Sequence, residues 1–328
     1  ENPTDKAQYP DFNWSDHYFN PATVINHNLR FSGGNETTNY SISLGYLDQD
    51  GVLPSFNYKR YNAIINLNTQ VNKRIRVGTI INMVKKNITE PRFTNSDIVL
   101  LVYQGAPNYT PFLPDGSGRV ARYAYAGEGH NRSPETDLHP GNYQHSNSHA
   151  INAQGYIDVN IIKGLVWQVK GGLNYNGDTY KSHQQVVPQY AFIKPAGADD
   201  FPYLDDGGKS GGVTDRYSQN LLPSLYSTLT YDKTFGKFHT IKVLGGYEQQ
   251  SFKTQFLQGS RLSFPTATLA EINAGSPVGQ SLSGTSTEWA LRSYFGRVNY
   301  DFMGKYLLEA NIRYDGSSRI AEENRWGA

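Results

Sequence analysis

The sequence predicts an all-β protein, an antiparallel up-and-down transmembrane β-barrel of which this chain is part, and three observations predict it. The first is dyad patterning. Across residues 306–315, Tyr306, Leu308, Ala310, Ile312 and Tyr314 alternate with Glu309, Asn311, Arg313 and Asp315. Successive side chains of a strand point to opposite faces, so this strand has one apolar and one charged face. The second is length. The alternating segments run for about 10 to 14 residues, enough to cross a bilayer obliquely, whereas strands of soluble sandwiches are about half that. The third is that short turns and longer loops take turns along the chain, as in barrels with tight turns on one rim and long loops on the other.

Composition agrees. The chain has 328 residues, 24 of them Tyr and 32 Gly. Tyr suits the membrane interface, and Gly suits strong twist and close strand approach. Net charge is +1, which gives no case for a nucleic-acid partner. Cysteine is absent, so disulfide frameworks, thiol chemistry and Cys-ligated metals are excluded. No run of 18 apolar residues marks a transmembrane helix, and a negative mean hydropathy of -0.58 is compatible with a barrel, in which every second residue is polar.

Residues 1–23 are polar, contain Pro3, Pro10 and Pro21, and read as the remnant of a loop. A first strand is expected at 24–33, turned by Gly34-Asn35-Glu36-Thr37 into a second in which Tyr40, Ile42, Leu44 and Tyr46 share a face. Tyr61, Ala63, Ile65 and Leu67 mark the third, and Asn72-Lys73-Arg74 turns it into a fourth over 75–88. A long connection over 90–147 holds one apolar run, Ile98 to Val102, which predicts a short helix capped by Thr94 or Ser96. A hairpin follows: Ile151 to Ile161, a turn at Lys163-Gly164, then Leu165, Trp167, Val169, Gly171, Leu173 and Tyr175 on one face. After a loop over 178–216 come strands at 217–232 and 238–252, a loop over 258–286, and a last hairpin at 288–302 and 305–315. That makes ten strands within 24–315, with 316–328 starting the next loop. With short turns assigned to the periplasmic rim, the first strand runs from outside to inside. The chain is then expected to be an internal piece of a larger barrel, with at least one strand before it.

Several motifs resemble a known family. Asn26-His27-Asn28-Leu29-Arg30-Phe31-Ser32-Gly33-Gly34, followed by Ser43-Leu44-Gly45-Tyr46-Leu47-Asp48-Gln49, resembles the opening barrel strands of SusC-like TonB-dependent transporters of Bacteroidetes. So do Tyr58-Lys59-Arg60-Tyr61, Val71-Asn72-Lys73 with Arg76-Val77-Gly78, Pro114-Asp115-Gly116, Ser293-Tyr294-Phe295-Gly296-Arg297-Val298-Asn299-Tyr300, Lys305-Tyr306-Leu307-Leu308-Glu309-Ala310, Asp315-Gly316-Ser317-Ser318-Arg319 and Asn324-Arg325-Trp326-Gly327. The resemblance implies a barrel of about 22 strands plugged by an N-terminal domain, with this chain supplying strands two to eleven. It implies an outer-membrane active transporter importing oligosaccharides or other large nutrients, a SusD-like surface lipoprotein as lid, and the TonB complex acting through a plug region that this chain lacks. Glycan or peptide is the substrate class, the lipid bilayer is the surrounding partner, and no cofactor is implied. A passive surface-binding barrel or adhesin is the alternative reading.

No stretch supports an enzyme: there is no GxSxG, no P-loop, and loop carboxylates such as Glu128, Glu135, Asp199, Asp200, Asp205 and Asp206 form no assignable pair. His130, His139, His145 and His149 lie close in sequence without metal-ligand spacing, and read as solvated loop histidines. Asp48-Gln49-Asp50-Gly51 and Asp205-Asp206-Gly207-Gly208 lack the bidentate Glu of a calcium loop. Candidate substrate-binding rings are Tyr103, Tyr109, Phe112, Tyr123, Tyr125 and Tyr143, because flat rings stack on sugars, although they also pack loops together. Arg60, Lys170, Arg292, Arg297, Glu309, Arg313 and Asp315 are expected mostly to face the lumen, since charge on the lipid side is costly.

Overall fold

In a computed structural model the chain is described over residues 10–92, 95–122, 133–205, 211–265 and 269–328. A short helix, α1 (Trp14–Tyr18), is capped by the Asn13 side chain, which accepts from the backbone N–H groups of Ser15 and Asp16. Four strands follow, β1 (Val24–Gly34), β2 (Thr38–Asp50), β3 (Asn57–Gln70) and β4 (Ile75–Pro91). The next connection carries α2 (Asn95–Gln104), β5 (Val120–Arg122) and α3 (Glu135–Leu138). Then come β6 (Tyr143–Ile162), β7 (Leu165–Gln184), the short β8 (Gln189–Ala191) and β9 (Tyr203–Asp205), β10 (Gly212–Phe235), β11 (His239–Leu262), β12 (Ser276–Phe302), β13 (Tyr306–Ser317) and the two-residue β14 (Trp326–Gly327).

Ten long strands pair antiparallel with their sequence neighbours in one sheet, ordered β1-β2-β3-β4-β6-β7-β10-β11-β12-β13, and β14 adds a short rung to β13. This is an up-and-down wall left open, because among the described residues β1 and most of β13 have no further partner. The tight turns use left-handed backbone where the hairpin twist requires it, as at Met303 (φ 59°) and Gly304 (φ 70°), whose N–H donates to Asp301. The helix over 98–102 extends to Asn95–Gln104; Ser96 lies in its first turn, and Thr94 falls outside the described residues.

The strands outrun the bounds that alternation marks. β6 starts at Tyr143, β7 reaches Gln184, β10 starts at Gly212, and β11 and β12 continue to Leu262 and from Ser276. The third long loop thus shrinks to residues 263–275. The reason is physical: beyond the bilayer both faces of a strand meet water, so pairing continues while the apolar alternation fades.

Register joins the apolar positions into a continuous belt. Leu308 opposes Tyr300, which opposes Ile241; Ala310 opposes Val298, which opposes Val243. On the other side of the wall Trp167 opposes Val159, Ile65 opposes Ile81, and Leu29 opposes Leu44. Directly opposed residues of an antiparallel pair share a face, so this belt crosses the whole wall. Its side chains lie open to the surroundings, with Leu308 67%, Ile312 68% and Trp167 44% exposed. Tyr306 and Tyr314 flank it on β13. Eight residues at about 3.3 Å each and a tilt of about 40° put them ~20 Å apart along the normal, close to the apolar band of an outer-membrane barrel.

The buried core lies elsewhere, in the long connections. Trp14, Tyr18, Leu53, Ile98, Val102, Tyr109, Leu113, Ala121, Leu138 and Phe192 cluster together. They tie α1, α2, α3 and the three-stranded sheet β5-β8-β9 into one knob at the long-loop end.

Candidate functional site

The wall presents two polar surfaces, its inner face and the knob. On the inner face two arrangements repeat. Arg76 donates to Asp158 at 2.6 Å, Gln168 donates to the other oxygen of Asp158 at 2.6 Å, and the Arg76 guanidinium lies 5.8 Å from the Tyr156 ring. Arg313 donates to Glu248 and Ser293 at 2.9 Å and to Asp315 at 2.8 Å, and lies 5.7 Å from the Phe295 ring. In each case the ring covers a glycine on the next strand. A Cβ at Gly78 would fall within Tyr156, and one at Gly246 within Phe295. Glycine there lets the ring lie flat on the wall and leaves its face for a cation. Phe295 also stacks on Tyr226 at 5.4 Å, and Lys170 lies 5.8 Å from Tyr226, so a row of cation, two rings and cation crosses five strands, from β7 to β13. Asp158 is buried, and its pairing with Arg76 and Gln168 compensates its loss of water.

Parity puts Arg60, Lys170, Arg297, Glu309, Arg313 and Asp315 on this inner face. Arg292 is a correction. It is opposed to Gly316 and Gln249 and shares parity with Tyr294, so it lies on the outward face, one pleat above the aromatic belt where a charge reaches water.

In the knob, Arg119 is the hub. Its guanidinium donates to Asp200 at 2.7 and 2.8 Å and to Asp115 at 2.6 Å, and lies 4.7 Å from the Tyr190 ring. The carboxyl of Asp115 is held down to about 2 by Ser117 first and then Arg119, and that of Asp200 to about 2 by Arg119 and the Phe201 N–H. Deeper in, the Tyr18 hydroxyl donates to Glu135 at 2.7 Å. Burial raises the Glu135 carboxyl above its ordinary range, with the Tyr18 hydrogen bond opposing, and pushes the Tyr18 phenol far above its own. Burial also lowers His139, whose Nδ1 accepts from the Gly141 N–H.

The six candidate rings separate. Tyr109 is 5% exposed and packs against Trp14 at 4.8 Å, so its faces are used inside the knob. Phe112 is half-buried where its backbone bridges Val120. Tyr103 is 70% exposed beside Phe19. Tyr143 has outward parity and stacks on His145 at 4.3 Å. Tyr123 and Tyr125 lie outside the described residues, as does His130. Sequence reasoning missed Tyr190, Phe192, Phe201 and Arg119; the aromatic enrichment of 190–203 was the available signal. Among the described residues no group of His, Asp and Glu converges as a metal site.

No protein-family model matches the chain. It is 26% identical over 321 residues, 95% of its length, to TonB-dependent receptor P3 of Formosa agariphila, and 24% identical over 332 residues to TonB-dependent receptor SusC of Bacteroides thetaiotaomicron. It spans 30% and 31% of those relatives. Among solved structures, the RagAB peptide importer in its closed-closed state superposes with a TM-score of 0.72 at 24% identity, over 97% of this chain and 34% of that one. The ferric citrate transporter FecA superposes at 0.52 with 7% identity, over 91% of this chain and 36% of that one. These relatives are receptors and transporters. Over almost its whole length the chain is thus similar to SusC and other TonB-dependent receptors, and its sheet has the fold of an outer-membrane β-barrel wall.

Proposed function

We propose that this chain forms part of the wall of an active importer that takes oligosaccharides or peptides too large for passive pores across the outer membrane. One observation carries the reading: the inner face is lined by paired charges and by rings laid flat against glycines, which is the lining of a filled or conducting lumen. Similarity to SusC over 96% of the chain supports the same reading. Energy comes from a TonB-linked plug inside the barrel, and a SusD-like lipoprotein closes the long-loop end. The knob lies on the route between that lid and the lumen, and the exposed Tyr103 is its best-placed ring for substrate contact.

The test is uptake by the intact receptor. Cells with the receptor gene deleted, complemented, or complemented without TonB are given fluorescent oligosaccharides and peptides above porin size. Import is expected only in complemented, TonB-positive cells. Import that survives loss of TonB makes the protein a passive barrel, and surface binding without import makes it an adhesin.

A further inference from the structure

We propose that Arg60 and Lys86, on the lumen face beneath the knob, bind a carboxylate carried by the cargo, which makes the cargo an acidic oligosaccharide or an acidic peptide. The proposal deepens the import reading and rests on it, and on the orientation with the long loops outside.

Arg60 on β3 and Lys86 on β4 are directly opposed, and inward parity puts both on the lumen face. Directly opposed side chains of an antiparallel pair leave their strands about 5 Å apart, so the two cations can reach one anion. Both residues are half-buried, and among the described residues neither makes a hydrogen bond or an ion pair. The Arg60 Nε is shut away from solvent. The terminal nitrogens of Arg60 and the Lys86 ammonium are not, and they keep their donors for the lumen.

Elsewhere on this face the wall neutralises its own cations. Arg76 takes Asp158, and Arg313 takes Glu248 and Asp315. Here it supplies no counter-charge within reach. The row holding the pair reads Leu47, Arg60, Lys86, Ser148, Asp178. Asp178 stands two strands, ~10 Å, from Lys86 and forms no ion pair with it. Glu90 lies four residues further along β4, ~13 Å away. Like charges directly opposed on a sheet repel. A carboxylate between them replaces that repulsion with two charge-assisted contacts. Ser148, directly opposed to Lys86, offers a hydroxyl donor beside the same carboxylate.

Position points to cargo as the source of the anion. β3 starts at Asn57, directly after Phe56, which packs against the core of the knob. Arg60 is therefore about 13 Å of strand below the knob, and Lys86 is five residues from the end of β4. The pair also stands beyond Met83, the last apolar residue of the outward belt on β4. It thus lies at the mouth of the lumen, on the path from the knob inward.

The intact receptor, purified in detergent, is incubated with uronic-acid oligosaccharides, with the same chains as methyl esters, with acidic peptides, and with the same peptides amidated at every carboxyl. Retained molecules are weighed by native mass spectrometry. An acidic pool is expected to be retained above its neutralised counterpart, and which pool it is identifies the carrier of the carboxylate. Arg60→Gln/Lys86→Gln is expected to retain that pool about tenfold less, the equivalent of about 1.4 kcal/mol, with the neutralised pools unchanged. Lys86→Arg, which keeps the charge, is expected to retain it fully. Lys242→Gln, a lumen-facing cation near the short-turn end of β11, is expected to change nothing. Equal retention of acidic and neutralised pools, retention of neither, or an unchanged double variant overturns the proposal. A double variant that keeps the acidic pool but exposes the plug to protease assigns the pair to the plug, and overturns it too. Heat-dependent gel mobility checks that each variant is folded. Retention needs no TonB, so a passive barrel or an adhesin passes this test while failing the uptake test.

Discussion

At the scale of single residues the knob is held by charges whose pH dependences have opposite sign. Asp115 and Asp200 are depressed to about 2, so their contribution is complete above the ordinary carboxylate range, near 4, and is lost as pH falls from there to about 2. Both are solvent-exposed in the electrostatic sense, so the effect is local ordering of the segment that Arg119 clamps. Arg119→Met is expected to abolish that pH dependence and raise hydrogen exchange in β8, measured against intrinsic rates; Arg119→Lys restores little, because an ammonium cannot make the two-pronged contact with Asp200. Glu135 works the other way: its carboxyl is raised, so its folded-state advantage is present at low pH and is lost as pH rises through its folded-state value. Tyr18→Phe leaves a half-buried carboxyl without its Tyr18 donor and is expected to destabilise the knob by about 1–3 kcal/mol, read as earlier chemical unfolding followed by Trp14 fluorescence. Little change in that midpoint would mean that water replaces the hydroxyl.

At the scale of elements, two neighbouring glycines make a clean comparison. Gly246 lies under the Phe295 ring, whereas a Cβ on Gly245 meets nothing within 4 Å. Gly246→Ala must tilt Phe295 away from Tyr226 and is expected to cost about 1–3 kcal/mol, while Gly245→Ala is expected to be near neutral. Heat-dependent gel mobility of the refolded receptor reads both. The same logic applies across the wall. Val169→Arg puts a guanidinium in the middle of the lipid-facing belt and is expected to cost about 2–4 kcal/mol, whereas Gln168→Arg points inward beside Asp158 and is expected to cost little. These contrasts explain which parts of the fold were legible. Strand identity, order and parity follow from alternation, because lipid enforces it on every second residue. Strand ends did not follow, because outside the bilayer nothing enforces the pattern. Arg292 was misplaced for the same reason: it stands just beyond the belt, where outward charge is free to reach water. The knob was the least legible part, since Trp14, Tyr109, Leu138 and Phe192 come from three separate connections and no local period links them.

At the scale of the whole molecule, the wall is a sheet without a second layer. Its stability depends on lipid outside, on a filled lumen inside, and on strands that pair with the open edges of β1 and β13, since long unpaired edges bind other strands indiscriminately. Turn length predicts the orientation of that wall, with the long loops outside. The connection between β6 and β7 is Lys163-Gly164, while that between β7 and β10 spans 185–211 and contains two strands of the knob. Short turns thread a membrane readily during assembly and stay on the periplasmic side, while long loops carry the binding surface outside. The chain contains no cysteine, so a single introduced thiol reports sidedness directly once the rest of the receptor is also thiol-free. Ala196→Cys, exposed in the long connection, is expected to react with an impermeant maleimide on intact cells. Lys163→Cys, exposed at the tight turn, is expected to react only after the outer membrane is permeabilised. Labelling of Lys163→Cys on intact cells, with Ala196→Cys protected, would reverse the wall. The knob would then face the periplasm, away from any surface lid.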